Sequence, residues 1–247
     1  MTGRAQAWVG CSGWSYPGWR GVVYPPGLPP SQWLGYYAAR FSTVEVNSTF
    51  YRLPKPETFQ AWAARAPVGF RFALKVSGLG THRLKLRDPE RWLAPHLARA
   101  LLLGDHLGPQ LVQLPPRWGR DLERLEGFLA AAPRELQWAV EVRDRSWLSP
   151  ETFELLGRYG AALCVHDLLP GHPWVRTAGW SYVRFHGPRP EAERYAGQYG
   201  PARLARPAAT IESWLEDGCP VYAYFNNDVG GAAVRDAQWL ARRLASK

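Results

Sequence analysis

Eight short apolar segments, most of them separated by amphipathic stretches, constrain this chain more than any other feature of its sequence. They are Trp8–Cys11, Thr43–Asn47, Phe70–Val76, Gln110–Leu114, Leu136–Val142, Ala161–Val165, Ser181–His186 and Val221–Phe225. Several, such as AALCV and VYAYF, are apolar throughout. That is the pattern of parallel strands, whose crossover helices cover both faces of the sheet. Start signals mark the helices between them. Ser31 precedes QWLGYYAAR, Pro56-Glu57 opens ETFQAWAARA, and Ser149-Pro150-Glu151 opens TFELLGRYG. A serine oxygen accepts an otherwise unpaired N–H of the first turn, and proline fits there because its missing donor would have no partner. Asp88-Pro89 and Asp121 mark two further starts. Pro170–Ala178 is too short and proline-rich for a full helix, and Leu79–Leu86 and Pro188–Pro201 read as lid or site loops.

Strand followed by helix, eight times over, points to a barrel or a doubly wound sheet. The count of eight favours the barrel, and GCSGWSYPG after the first strand lacks the GxGxxG spacing of a dinucleotide fold. The expectation is one α/β domain over residues 1–247, a (β/α)8 TIM-type barrel, a size at which a single core suffices. The formal net charge of +9 permits a polyanion such as nucleic acid as partner. It marks no binding tail, because only four of the 30 cations are Lys and the Arg are scattered without a block of like charge. No apolar run approaches the ~20 residues of a membrane span, and Met1 to Val9 lacks a signal-peptide core, so a cytoplasmic protein without membrane contact is expected. Cys11, Cys164 and Cys219 form no CxxC pair, and Cys11, which follows a strand and could border a site, reads rather as a buried, inert thiol; no motif implies a cofactor or a resident metal.

In a barrel the C-terminal strand ends carry the site. The three Asn of the chain, Asn47, Asn226 and Asn227, all fall at strand ends, Lys75 lies near one, and three of the six His, namely His82, His166 and His186, lie at or just after strand ends. Residues two apart on a strand face the same way. Glu45 then shares a side with Asn47, Glu141 with Arg143, and Arg184 with His186. Turned inward, Glu45, Lys75, Gln113, Glu141, Arg143, His166, Arg184 and His186 form a ring with about one positive charge to spare. Such a ring is either a closed ion-pair network, Glu45 with Lys75 and Glu141 with Arg143, or a site whose missing anion is the ligand. Trp14, Tyr16, Tyr51, Trp147, Tyr195 and Tyr199 supply aromatic faces near the mouth.

The strings VGCSGWSYPGWRGVVYP, TVEVNSTFYRLP, FALKVSGLGTH, QLPPRW, WAVEVRDRSW, YVRFHG with a following YxxxY, and VYAYFNND–GGAA come in order from seven of the eight strands. Together they resemble the YecE-like family, domain of unknown function 72. The resemblance implies a (β/α)8-type barrel and no assigned activity. In one place the chain departs from the family pattern: Arg235-Asp236-Ala237 stands where an Asn-Ala pair is expected, which leaves Asp236 as a helix-start carboxylate.

The leading functional expectation is an acid–base enzyme acting on a small phosphate- or carboxylate-bearing anion. Glu45, Lys75, Glu141 and His186 would move protons. Arg143 and Arg184 would hold the anion, with Asn47, His82, Gln113, Trp147, His166, Tyr195, Tyr199, Asn226 and Asn227 around it. Barrels often bind phosphate after the seventh and eighth strands, here GPRP and NNDVGG, although prolines make GPRP a poor amide cradle. One alternative is metal-dependent phosphodiester hydrolysis on nucleic acid, with ligands from Glu45, His82, Glu141, His166, Asp167 and His186. It lacks an HxH or HxxxH spacing, and three cations share its ring. The other is a non-catalytic module that binds nucleic acid or a nucleotide. The sequence leaves the oligomeric state open.

Overall fold

The structure, a computed structural model, describes residues 3–189 and 195–245. Eight parallel strands form one sheet in the order β1-β8-β7-β6-β5-β4-β3-β2. They are β1 (Ala7–Cys11), β2 (Thr43–Val46), β3 (Arg71–Lys75), β4 (Leu107–Gln113), β5 (Trp138–Glu141), β6 (Ala162–His166), β7 (Ser181–Phe185) and β8 (Val221–Phe225). Around them run α1 (Trp33–Ala38), α2 (Ser48–Tyr51), α3 (Pro56–Arg65), α4 (Pro89–Ala100), α5 (Leu122–Ala131), α6 (Pro150–Arg158), α7 (Gly200–Glu216) and α8 (Ala232–Ala245). The chain is thus a (β/α)8 barrel. No helix among the described residues is long and apolar enough to cross a membrane.

The caps act as their chemistry requires at Ser149, whose hydroxyl accepts the Thr152 N–H, and at Asp121, which accepts the Arg124 N–H. Ser31 does not cap: it sits inside a 3-10 turn, Pro30–Gln32, that precedes α1. Strand β4 begins at Leu107, ahead of a Gly-Pro pair that reads as a break. Leu79–Leu86, expected to be a lid or site loop, opens with a π-helical turn over Leu79–Arg83. Gly80 lies so close to the Trp92 indole that a Cβ there would stand 2.2 Å from it, which pins the turn to the barrel wall.

Most of the apolar core lies between strands and helices, where residues such as Phe59, Phe72, Phe128 and Leu156 are fully enclosed. Each contributes roughly 1.5–3 kcal/mol by leaving water. A smaller cluster fills the barrel itself, with Ala73, Leu111, Ala139 and Tyr182 among its members. Two residues further along the same strands the inward face carries Lys75, Gln113, Glu141 and Arg184. The lumen therefore changes from apolar to charged within one pleat.

The ends of the strand order, β1 and β2, close against each other without a regular ladder. The Tyr37 hydroxyl stitches this seam, accepting the Cys11 N–H at 2.7 Å and donating to the Thr43 carbonyl at 3.0 Å. Gly10 makes the approach possible, since a Cβ at that position would lie 2.2 Å from the Thr43 oxygen. The three thiols are buried and free.

Candidate functional site at the barrel mouth

The floor of the mouth is an ion-pair network that crosses the lumen. Arg184 on β7 reaches Glu45 on β2 with Nη2 (2.7 Å) and Glu141 on β5 with Nη1 (2.5 Å). All three side chains are at most 1% exposed. Arg143 also pairs with Glu141, the Gln113 amide donates to Glu141 at 2.8 Å, and the Tyr182 hydroxyl donates to Glu45 at 2.6 Å. Burial alone would raise the Glu141 pKa, but Arg143 and then Arg184 outweigh it and hold the group well below the carboxylate range. The expected pairing of Glu45 with Lys75 is not formed: Arg184, fixed between the two carboxylates, takes both.

Lys75 is therefore the cation left over. It has no ion pair among the described residues, is 8% exposed, and rests its Nζ 4.2 Å from the centre of the Phe50 ring. Burial, followed by the nearby Arg184, lowers its pKa to about 8, against the opposing pull of Glu141 and Glu45.

Above this floor opens a cavity of about 770 Å³. Its walls come from the segments after β1 (Ser12, Trp14, Tyr16), after β2 (Asn47, Ser48, Tyr51), from Lys75, Gln113 and Arg184, and from Tyr195, Asn226 and Asp228. Three buried polar atoms of wall residues have no hydrogen-bond partner among the described residues: Ser12 Oγ, Asn47 Oδ1 and Arg184 Nε. Buried polar groups are ordinarily paired, so three exceptions in the wall of one cavity set it apart from the rest of the barrel. The Asn47 amide meanwhile donates to the Ser12 carbonyl at 3.2 Å, spanning the β1–β2 seam.

Asp228 was absent from the expected set. It lies one residue beyond the Asn226-Asn227 pair, and its carboxyl has no cationic partner among the described residues. Burial raises its pKa. A cation and a carboxyl without an ion-pair partner among the described residues thus line one cavity, the amine driven down and the carboxyl driven up by burial.

Other expected residues stand elsewhere. Trp147 is fully buried, its indole donating to the Trp118 carbonyl at 2.7 Å, so it offers no face to the cavity. Asn227 is fully buried and turns away from the mouth to tie the Gly197 carbonyl and Asp236 together, each at 2.8 Å. Asp236, expected as a helix-start carboxylate, accepts the backbone N–H groups of Tyr199 (3.0 Å) and Gly200 (3.1 Å) at the start of α7. His82 is half-buried against Phe50 and lowered to about 4, by burial first and Lys75 second. Of the Pro188–Pro201 stretch, residues 190–194 lie outside the described residues, Pro190 of the GPRP string among them.

His166 and His186 belong to a separate group. His166 borders a smaller hollow of about 250 Å³ with Asp167 and His172. It donates from Nε2 to the Val142 carbonyl and accepts the Leu168 N–H at Nδ1, and burial lowers its pKa to about 3, which makes it a neutral structural imidazole. His186 is fully buried and donates from Nδ1 to Asp167 at 3.0 Å; Asp167 also accepts the Tyr199 hydroxyl. Among the described residues no three of His, Cys, Asp or Glu stand close enough together to hold a metal ion.

Comparison with known proteins converges on one family. Residues 8–247 match the family described as "Protein of unknown function DUF72". The UPF0759 protein YecE of Escherichia coli K12 is 34% identical over 137 residues, 55% of this chain and 48% of that protein, so the chain spans about half the length of this curated relative. The UPF0759 protein YunF of Bacillus subtilis strain 168 is 23% identical across 96% of this chain and 94% of that protein. The crystal structure of a DUF72 family protein from Thermotoga maritima superposes with a TM-score of 0.87 at 31% identity, covering 98% of this chain and 100% of the other. A DUF72 family protein from Enterococcus faecalis V583 superposes with a TM-score of 0.80 at 20% identity, over 98% and 96% of the two chains, a likeness of fold alone.

Proposed function

Because the chain belongs to the DUF72 family, whose description assigns no activity, function has to be argued from the site, and we propose that the barrel mouth is an acid–base enzyme site for a small carboxylate- or phosphate-bearing molecule. The observation that carries this reading is Lys75, a buried cation facing a cavity whose carboxylate neighbours are both spent on Arg184. An anion entering the cavity supplies the missing countercharge. Lys75 and Asp228 then exchange protons with the bound molecule. Asn47, Gln113 and Asn226 direct its hydroxyls or carbonyls, and Tyr16, Tyr51 and Tyr195 wall it in.

Glu45 and Glu141 have a different part in this scheme from proton transfer. They hold Arg184, and through it the charge of the floor, so they are positioning residues. The test is a thermal-shift screen of the protein against small organic acids and sugar phosphates, repeated with Lys75→Met. A ligand at a hundredfold excess over its Kd stabilises by about 2.7 kcal/mol, readable in the midpoint. A hit lost in Lys75→Met supports the reading; no hit from either class sinks it.

A second reading, binding of single-stranded nucleic acid, draws support from the net charge of +9 and from Tyr51, which is 82% exposed on the rim beside Arg65. Its signature is affinity for oligonucleotides that falls steeply with salt and survives Lys75→Met.

A further inference from the structure

We infer that Lys75 is a nucleophile as well as a charge: its Nζ forms an imine with a small aldehyde or ketone that carries the anionic group, a 2-oxo acid or a sugar phosphate. The inference rests on the anion-site reading above and names its substrate class more narrowly.

Three structural facts support it. A lysine amine is nucleophilic only when neutral, and it becomes so in a dry pocket or beside other cations. Lys75 has both: it is nearly buried, and Arg184 and Arg143 are its cationic neighbours. It also lacks the partner that would hold its proton, since Glu45 and Glu141 both bind Arg184. Finally, the carboxyl of Asp228 stands on the wall of the same cavity, kept toward its protonated form by burial. A lysine whose role was structural would be expected to ion-pair with one of the carboxylates close by.

The step balances without any co-reactant. The Nζ lone pair adds to the carbonyl carbon as the C=O π bond opens, and one N–H proton passes to the oxygen. The resulting hydroxyl takes a second proton from solvent, relayed by the Asp228 carboxyl, and leaves as water. What remains is an iminium with one N–H, opposite the Asp228 carboxyl. Arg184 and Ser12, on the wall of this cavity, are donors for the anionic group of the same molecule.

The chain carries its own controls in Lys55, which is exposed, and Lys85, which lies outside the cavity. The experiment incubates the protein with pyruvate or glyceraldehyde 3-phosphate and cyanoborohydride at pH 7.5, then maps reduced adducts by peptide mass spectrometry. In parallel, the non-carbonyl analogues lactate and glycerol 3-phosphate are tested by thermal shift. The expected result is an adduct at Lys75 that forms at least about tenfold faster than at Lys55, given the larger free-amine fraction of a lowered pKa, and that excess lactate or glycerol 3-phosphate suppresses. Equal labelling of Lys55, Lys75 and Lys85, or none at Lys75, overturns the inference. If the analogues still stabilise the protein in that case, the anion-site reading survives alone; if they do not, both fall.

Discussion

Nη2 of Arg184 lies 2.7 Å from Oε1 of Glu45 inside the barrel, joining β7 to β2, strands that are not neighbours in the sheet and share no backbone hydrogen bond. With Glu141 on its other amine, Arg184 has two buried carboxylates that depend on it. Arg184→Ala leaves both without that partner, and the expected cost is about 3–5 kcal/mol, read as a lower urea midpoint. The Glu141 share has a definite pH window. Its folded pKa lies well below the ordinary 4.5, so its stabilisation is fully present above about pH 4.5 and is lost as pH falls toward the depressed value. In Glu141→Gln that acid-side loss of stability should be smaller; an unchanged slope contradicts the network.

Lys75 carries a stability penalty of the opposite kind. Its folded pKa of about 8 lies below the ordinary 10.5, so the unfolded chain binds the extra proton between those values. Stability should rise as pH climbs from about 8 to 10.5, with the penalty constant below. Lys75→Met, similar in length and uncharged, should stabilise the unliganded protein by roughly 1–3 kcal/mol at pH 7, part of the gain being offset by the lost Phe50 contact. A chemical-denaturation series from pH 7 to 10.5 on both proteins checks it, and the gap between them should narrow with rising pH.

Tyr37→Phe removes one oxygen and leaves the Cys11 N–H and the Thr43 carbonyl unpaired in the seam. About 2–4 kcal/mol of destabilisation is expected from two buried orphan groups. Amide exchange localises it: the Cys11 amide should lose protection while those of β4 and β5 keep theirs. Uniform loss throughout the barrel would count against a local seam.

Asp236→Asn should destabilise this chain. The carboxylate accepts from Tyr199 N, Gly200 N and Asn227 Nδ2, three donors that an amide NH2 would partly oppose. A loss of about 1–2 kcal/mol in thermal melts is expected. Stabilisation by the substitution would show that the carboxylate is strained here.

The strands were legible because apolar runs of four to seven residues between Pro, Gly and polar clusters have few other physical explanations. So was the charged layer, since the two-residue pleat alone puts Glu141 above Ala139 and Arg184 above Tyr182. Partners across the lumen were not legible. Which carboxylate Arg184 meets depends on strand tilt and stagger, and spacing along one strand carries neither, so Lys75 was expected opposite Glu45. Trp147 reads as a mouth aromatic from its place after β5, but its burial is decided by Trp118 on a neighbouring loop. Asp228 was not legible because it lies three residues past the end of β8, where the two-residue pleat no longer says which way a side chain faces, although it stands on the cavity wall with Asn226.

The position of the cavity relative to the seam has a mechanical consequence. Ser12, Trp14 and Tyr16 follow β1, and Asn47 and Ser48 follow β2, so the cavity straddles the β1–β2 junction, which the Tyr37 hydroxyl fastens in place of a regular ladder. A molecule gripped from both sides acts there as a clasp. Holding it and keeping the barrel shut become one equilibrium, and whatever loosens the junction also loosens the grip.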